Sequence, residues 1–179
     1  MRLRIKNMDS STNTSNRRSQ VFLLCGMTGS GKTTFAKQLE YECSAVRFSI
    51  DEWMINLYDR HMSREDFDSR MNICKQLIWQ TVERLIDLNI DVILDYGFWT
   101  IKERTNISSQ IRHAGGIPVV YFFNVPSHIL KQRLAIRNSQ RLLNTFEITP
   151  EMLELFQTHF EPPSDKEGFE IIEIESSKG

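Results

Sequence analysis

The sequence has no long apolar run. Its longest uninterrupted apolar stretches, Val21–Cys25 and Val119–Phe123, fall far short of the roughly 18 residues that suggest a membrane span, so no membrane partner is expected. Met1–Lys6 carries charge but no apolar block follows it, and a secretory leader is not expected either. Cysteine is scarce: Cys25, Cys43 and Cys74 form no C-x-x-C pattern. An odd count cannot pair off completely, which excludes a disulfide framework and suits a reducing, cytoplasmic setting. His61, His113, His128 and His159 are scattered and make no H-E-x-x-H, so the common zinc hydrolase pattern is absent. Net charge is only −1, too balanced for a protein that coats nucleic acid by bulk electrostatics.

What is present is unevenly placed. Residues 1–19 hold five basic residues against Asp9, residues 127–146 hold Lys131, Arg133, Arg137 and Arg141 without an acid, and nine acids follow from Glu147 onward against Lys166 and Lys178. Residues 7–19 are rich in Ser, Asn and Thr with almost nothing to bury, so 1–19 is expected to be a flexible polar tail. The remainder, 20–179, reads as one domain.

Within that domain strand and helix patterns alternate. Val21–Cys25 reads as a strand buried on both faces, followed by a helix over Thr33–Glu42 and a second strand over Ala45–Ile50. Ser63, with Asp66 three residues on, opens a long helical stretch to Leu88. Val92–Leu94 is a third strand. Thr100 with Glu103 caps the next helix, which Gly115-Gly116 ends. Pro118–Asn124 is a fourth strand, and Ser127 to about Arg137 a helix. Thr149-Pro150 starts a further helix that Pro162-Pro163 stops by Glu161, and Phe169–Ile174 is a fifth strand. Strands separated by helices imply βαβ units, hence an α/β domain with a five-stranded, mostly parallel sheet and helices on both faces.

Gly26-Met27-Thr28-Gly29-Ser30-Gly31-Lys32-Thr33 matches the phosphate-binding loop G-x-x-x-x-G-K-[ST] in full, and in its proper context after a strand and before a helix. Glycines let the backbone approach anionic oxygens closely. Consecutive N–H groups from Gly26 through Thr34, with the positive end of the helix, would then cradle phosphates. Lys32 is placed to reach the β- and γ-phosphates of ATP and Thr33 to ligate Mg²⁺. A GTPase would add D-x-x-G after the third strand and N-K-x-D. The second is absent, and the first occurs only as Asp165–Gly168. A motor ATPase would show an apolar strand ending Asp-Glu. Ile50-Asp51-Glu52 has that ending, but Arg47 and Ser49 interrupt the strand.

Ligands of open α/β sheets sit at the carboxyl ends of the strands, where Asp51 and Asp95 fall. Asp51 is the candidate acceptor of a hydroxyl proton, although it could simply cap the helix Glu52–Tyr58. Asp95 is the candidate for holding Mg²⁺ or orienting the acceptor, and Glu52 suits the first turn of a helix as charge complementing its dipole. Arg133, Arg137 and Arg141 are spaced by four and share one face if the helix continues. Arg133 would serve the nucleotide, and Arg137 and Arg141 would close over the phosphates from a small lid that excludes water. A solvated basic face is the alternative for each.

At these points the chain resembles the small P-loop kinases that include chloramphenicol phosphotransferase, zeta toxins, gluconate kinase and the kinase half of polynucleotide kinase. The segments that carry the likeness are Gly26–Thr34, Ser49-Ile50-Asp51-Glu52, Leu94–Trp99 and Val125-Pro126 through Arg133–Asn138. The resemblance implies a three-layer P-loop fold with strand order 2-3-1-4-5, Mg²⁺-ATP as donor, Asp51 as base and lid arginines near Arg137. It does not name the acceptor. Trp53, Tyr58, Tyr96, Phe98 and Trp99 cluster beside the two acids and either line an acceptor pocket or pack under the long helix. The expected function is transfer of the γ-phosphate of ATP to a hydroxyl of a small molecule. A nucleic-acid or nucleotide 5′-hydroxyl kinase and a non-catalytic nucleotide-binding regulator are the alternatives.

Overall fold

The computed structural model describes residues 17–59, 61–140 and 145–175. Five strands, β1 (Gln20–Gly26), β2 (Val46–Ser49), β3 (Val92–Gly97), β4 (Ile117–Asn124) and β5 (Glu170–Glu175), form one sheet in the order β2-β3-β1-β4-β5. Every strand pair is parallel, so the sheet is wholly rather than mostly parallel. The helices are α1 (Lys32–Cys43), α2 (Ile50–Tyr58), α3 (Arg64–Asp87), α4 (Ile101–His113), α5 (Ser127–Gln140) and α6 (Pro150–His159). None of the described helices is long and apolar enough to cross a membrane.

Central β1 explains the sandwich. Val21, Leu23 and Cys25 face the core under α2, α3 and α4, while Phe22 and Leu24 face the core under α1. Alternate side chains of a strand point to opposite faces, and here both faces are apolar. α3 presents Cys74, Ile78, Val82 and Ile86, spaced by four, as its buried stripe. Its first turn is held by Ser63 Oγ, which accepts the Asp66 N–H at 3.1 Å. In α4 the Thr100–Glu103 capping box is complete, with Glu103 N–H on Thr100 Oγ1 at 3.1 Å and Thr100 N–H on Glu103 Oε2 at 3.2 Å. A third, smaller core joins α5 and α6 at the carboxyl end of the sheet: Leu130, Leu134, Ile148 and Leu153 around Met27.

Of the polar stretch expected as a tail, residues 1–16 lie outside the described residues. Arg17 and Ser19, placed in that tail by composition, are instead tied to the body. Arg17 pairs with Asp91, and the buried Ser19 receives the Ile117 N–H on its carbonyl at 2.8 Å.

Candidate active site

The loop between β1 and α1 is shaped by close packing. Gly26 has φ 153°, and a Cβ there would stand 3.0 Å from Phe123 Cβ and from the Phe123 carbonyl. Gly31 is the N-cap of α1 with φ 97°, a left-handed conformation that costs glycine little. It brings no side-chain cap, and no acid occupies the first turn, so the first N–H groups of α1 keep their capacity for an anion. The Met27 side chain is buried against Leu130, which leaves its backbone for the loop. Thr33 and Thr34 are exposed at the start of α1, and Thr28 is half-buried. Ser30 is buried beside Lys32.

Lys32 donates to the carbonyls of Gly26 and Met27, both at 2.8 Å, and to Ser30 Oγ at 3.4 Å. Burial pushes its pKa down, and the charges of Asp95 and Asp51 oppose that push. The two acids arrive from neighbouring elements. Ser49 of β2 is in register with Asp95 of β3, and α2 begins immediately, placing Asp51 in its first turn. The N-cap of α2 is Ser49, so Asp51 is not the capping residue. Desolvation raises the pKa of Asp51, Asp95 adds to the rise, and Lys32 and Arg137 counter it. Desolvation likewise raises that of Asp95, opposed by Lys32, by a hydrogen bond with Thr33 and by Arg47. Asp95 is buried, and its Oδ2 has no hydrogen-bond partner among the described residues. Glu52 turns away into a surface network, accepting from Arg47 at 2.8 Å and facing Lys37 at 3.6 Å.

α5 brings the arginines. Arg133 donates to the Ser30 carbonyl at 3.4 Å, alongside the loop. One turn on, Arg137 donates to the Phe146 carbonyl at 3.1 Å, keeps a buried Nε without a hydrogen-bond partner among the described residues and interacts with Asp51. The helix runs to Gln140, further than its sequence pattern indicated. Arg141 lies outside the described residues. Lys131 is engaged by Glu154 at 2.9 Å.

The aromatic cluster packs. Tyr96 and Phe98 stack at 5.5 Å against the α3 core, and Trp53 meets Phe48 edge-on. Trp99 sets its ring against Phe156 at 4.8 Å and donates its indole N–H to the Gly26 carbonyl at 3.2 Å. Sequence reasoning missed Arg104 altogether. This α4 residue is fully buried and makes a double hydrogen bond to Glu167, 2.8 Å for each nitrogen. The signal was available: Arg104, Ser108 and Ile111 form the buried stripe of α4, so an arginine occupies a position where helical spacing demands an apolar residue.

A family model described as an AAA domain matches residues 21–163. No curated protein matches in sequence. Among solved structures, a candidate kinase from Chloroflexus aurantiacus superposes with a TM-score of 0.70 at 16% identity, covering 89% of this chain and 86% of that one. Kti12 of Chaetomium thermophilum, in complex with ADP-AlF3, gives 0.67 at 18%, covering 87% and 88%. The APS kinase CysC of Mycobacterium tuberculosis, in complex with AMPPNP and APS, gives 0.58 at 16%, covering 92% of each. At such identities the likeness is one of fold, that of the small P-loop kinases.

Proposed function

The chain belongs to the AAA-domain family, and from that premise we propose that it is a phosphotransferase moving the γ-phosphate of ATP to a hydroxyl of a small molecule. The observation that carries this reading is the placement of Asp51 and Asp95 at the carboxyl ends of neighbouring strands β2 and β3, near enough to the loop residue Lys32 for both charges to raise its pKa. A nucleotide-binding switch needs the loop. It does not need a second, accessible carboxylate held above its ordinary proton affinity beside the first.

The residues divide the work by position. Main-chain N–H groups from Gly26 to Thr34 bind the phosphates, and Lys32 leaves its two carbonyls to meet the β- and γ-phosphate oxygens. The acceptor oxygen attacks the γ-phosphorus, the bond to the β,γ-bridging oxygen breaks, and ADP departs. The acceptor proton passes to Asp51, whose raised pKa suits a base that must take a proton as the new bond forms. Arg137 and Arg133 neutralise charge accumulating on the transferring group, and Arg141 is the further lid candidate. Thr33 and the unpartnered Oδ2 of Asp95 fit Mg²⁺, which keeps several waters and phosphate oxygens and needs few protein ligands. When bound, that ion supplies charge neutralisation between the β- and γ-phosphates.

A small acceptor suits the charge distribution better than a polynucleotide. Lys131 is spent on Glu154 and Arg133 and Arg137 are directed inward, whereas a polyanion is held by cations facing outward. The test is a metabolite-library screen for ATP consumption, run in parallel with the parent protein and Asp51→Asn. A hit that consumes ATP with the parent and not with the variant supports transfer with Asp51 as base. Equal consumption by both removes Asp51 from the chemistry.

A further inference from the structure

The turn that follows β3 is tied down by several hydrogen bonds, and two of its contacts lead to the start of the phosphate loop. Gly97 and Phe98 both have positive φ, 98° and 43°, and for phenylalanine this is an unfavourable conformation that surrounding structure must enforce. The enforcement comes from Arg104. Its guanidinium donates to the Phe98 carbonyl at 3.0 Å and the Trp99 carbonyl at 3.3 Å and is itself fixed by Glu167. The Glu161 N–H adds a second bond to the Trp99 carbonyl at 2.9 Å.

The turn so held touches the end of β1 twice, at Cys25 and at Gly26, the first residue of the phosphate loop. The Cys25 thiol donates to the Phe98 carbonyl at 3.3 Å, and burial raises its pKa to about 11, which keeps the proton it donates. The Trp99 indole donates to the Gly26 carbonyl at 3.2 Å. That carbonyl also accepts from Lys32 at 2.8 Å. When Lys32 turns to a nucleotide, a buried carbonyl would lose its charged partner, and an unsatisfied buried acceptor is costly. The indole removes most of that cost, because it remains in place. Gly97 belongs to the same device: a Cβ there would stand 2.8 Å from Trp99 Nε1.

We propose that Trp99 is a positioning residue for nucleotide binding: its indole N–H, aimed by the Arg104–Glu167 pair, holds the Gly26 carbonyl and frees Lys32 for the phosphates. The proposal rests on the reading of the loop as a nucleotide site. Titration of a fluorescent ATP analogue into the parent protein checks that reading first, since a parent that binds none refutes the site itself.

With binding established, Trp99→Phe keeps the ring against Phe156 and deletes only the donor. It is expected to weaken the analogue about 3- to 10-fold, the worth of one neutral hydrogen bond, with little change in melting temperature. Phe156→Ala does the reverse, removing packing and sparing the donor, and is expected to lower the melting temperature while leaving affinity within about 2-fold. Parent-like affinity in Trp99→Phe overturns the proposal. So does an equal loss of affinity in the two variants, which would assign the effect to packing.

Discussion

Asp51 and Asp95 come together at the carboxyl ends of β2 and β3, closely enough that the charge of Asp95 raises the proton affinity of Asp51. Desolvation disfavours ionisation of each acid, and the charge of the buried Asp95 further disfavours that of Asp51, the exposed one of the two. Folding tolerates the arrangement because Lys32, Thr33, Arg47 and Arg137 each offset part of it. The relationship governs how the protein responds to mutation and pH.

Asp51→Asn is expected to bind ATP as the parent does and to lose about 10²- to 10⁴-fold in phosphoryl transfer, the usual contribution of a positioned general base. In the parent, the acid limb of the turnover profile should lie above the ordinary aspartate range, since desolvation and Asp95 both raise the pKa of Asp51 and only its ionised form accepts the proton. Steady-state turnover against pH, with nucleotide affinity measured alongside, checks both expectations. An acid limb at the pH of a free aspartate would separate Asp51 from the proton transfer.

Asp95→Asn should stabilise the nucleotide-free protein at neutral pH while raising the Mg²⁺ concentration that transfer needs. Because the folded-state pKa of Asp95 is raised, its ionised form costs stability above that pKa. The cost disappears as pH falls through the folded value toward the unfolded one. The melting temperature of the variant should therefore exceed the parent's by the widest margin near neutral pH, and the two should converge in acid. Chelation of divalent metal should abolish transfer in the parent. Thr33→Val, which removes the other proposed ligand, should raise the Mg²⁺ concentration needed for half-maximal activity.

Arg137→Ala is expected to cut turnover about 10²-fold, the scale of one preorganised charge-stabilising donor, and to change ATP affinity far less. Arg137 reaches toward Asp51 from α5 while its Nη2 is held on the Phe146 carbonyl, a placement suited to charge that develops on the transferring phosphoryl group. Comparing single-turnover rates with equilibrium nucleotide binding separates the two effects. Proportional losses in both would make Arg137 an ordinary binding residue.

Much of this site is legible in the sequence because its signals are local. The phosphate loop needs glycine at fixed spacings, helix caps need Thr100 with Glu103 or Ser63 with Asp66, and a buried parallel strand needs the unbroken apolar run Val21–Cys25. Each such signal lies within about ten residues of chain, and each element stands where its signal falls. The aromatic residues around Gly97 are different. Nothing local distinguishes a ring that lines a pocket from one that packs on α3, or from Trp99, whose donor serves a carbonyl 73 positions away. Helical spacing marks Arg104 as a buried position of α4, but its partner Glu167 lies 63 positions away, and an ion pair of that span is defined only when the fold brings its halves together. Arg17 and Ser19 stay bound to the body for a similar reason: Asp91 and the 117 backbone are remote in sequence and adjacent in space.

Glu167→Gln is the sharpest test of that distant pair's role in stability. It leaves the Arg104 guanidinium fully buried without its counter-charge, and breaking a buried pair from one side costs about 3–5 kcal/mol. For a domain of this size each kcal/mol shifts the melting temperature by roughly 2–4 °C, so a fall of about 6–20 °C is expected. The carbonyls of Phe98 and Trp99 still accept from Arg104, which favours the lower part of that range. Replacing both partners together, Arg104→Met with Glu167→Leu, removes the stranded charge and should recover part of the loss, because a buried ion pair exchanged for apolar side chains of similar volume is often nearly neutral. It should not recover all of it, since the Phe98 carbonyl is then left to the Cys25 thiol alone. Thermal melts of the parent, the single and the double variant check this. A double variant less stable than the single one would show that the carbonyl contacts, rather than the ion pair, hold the turn after β3.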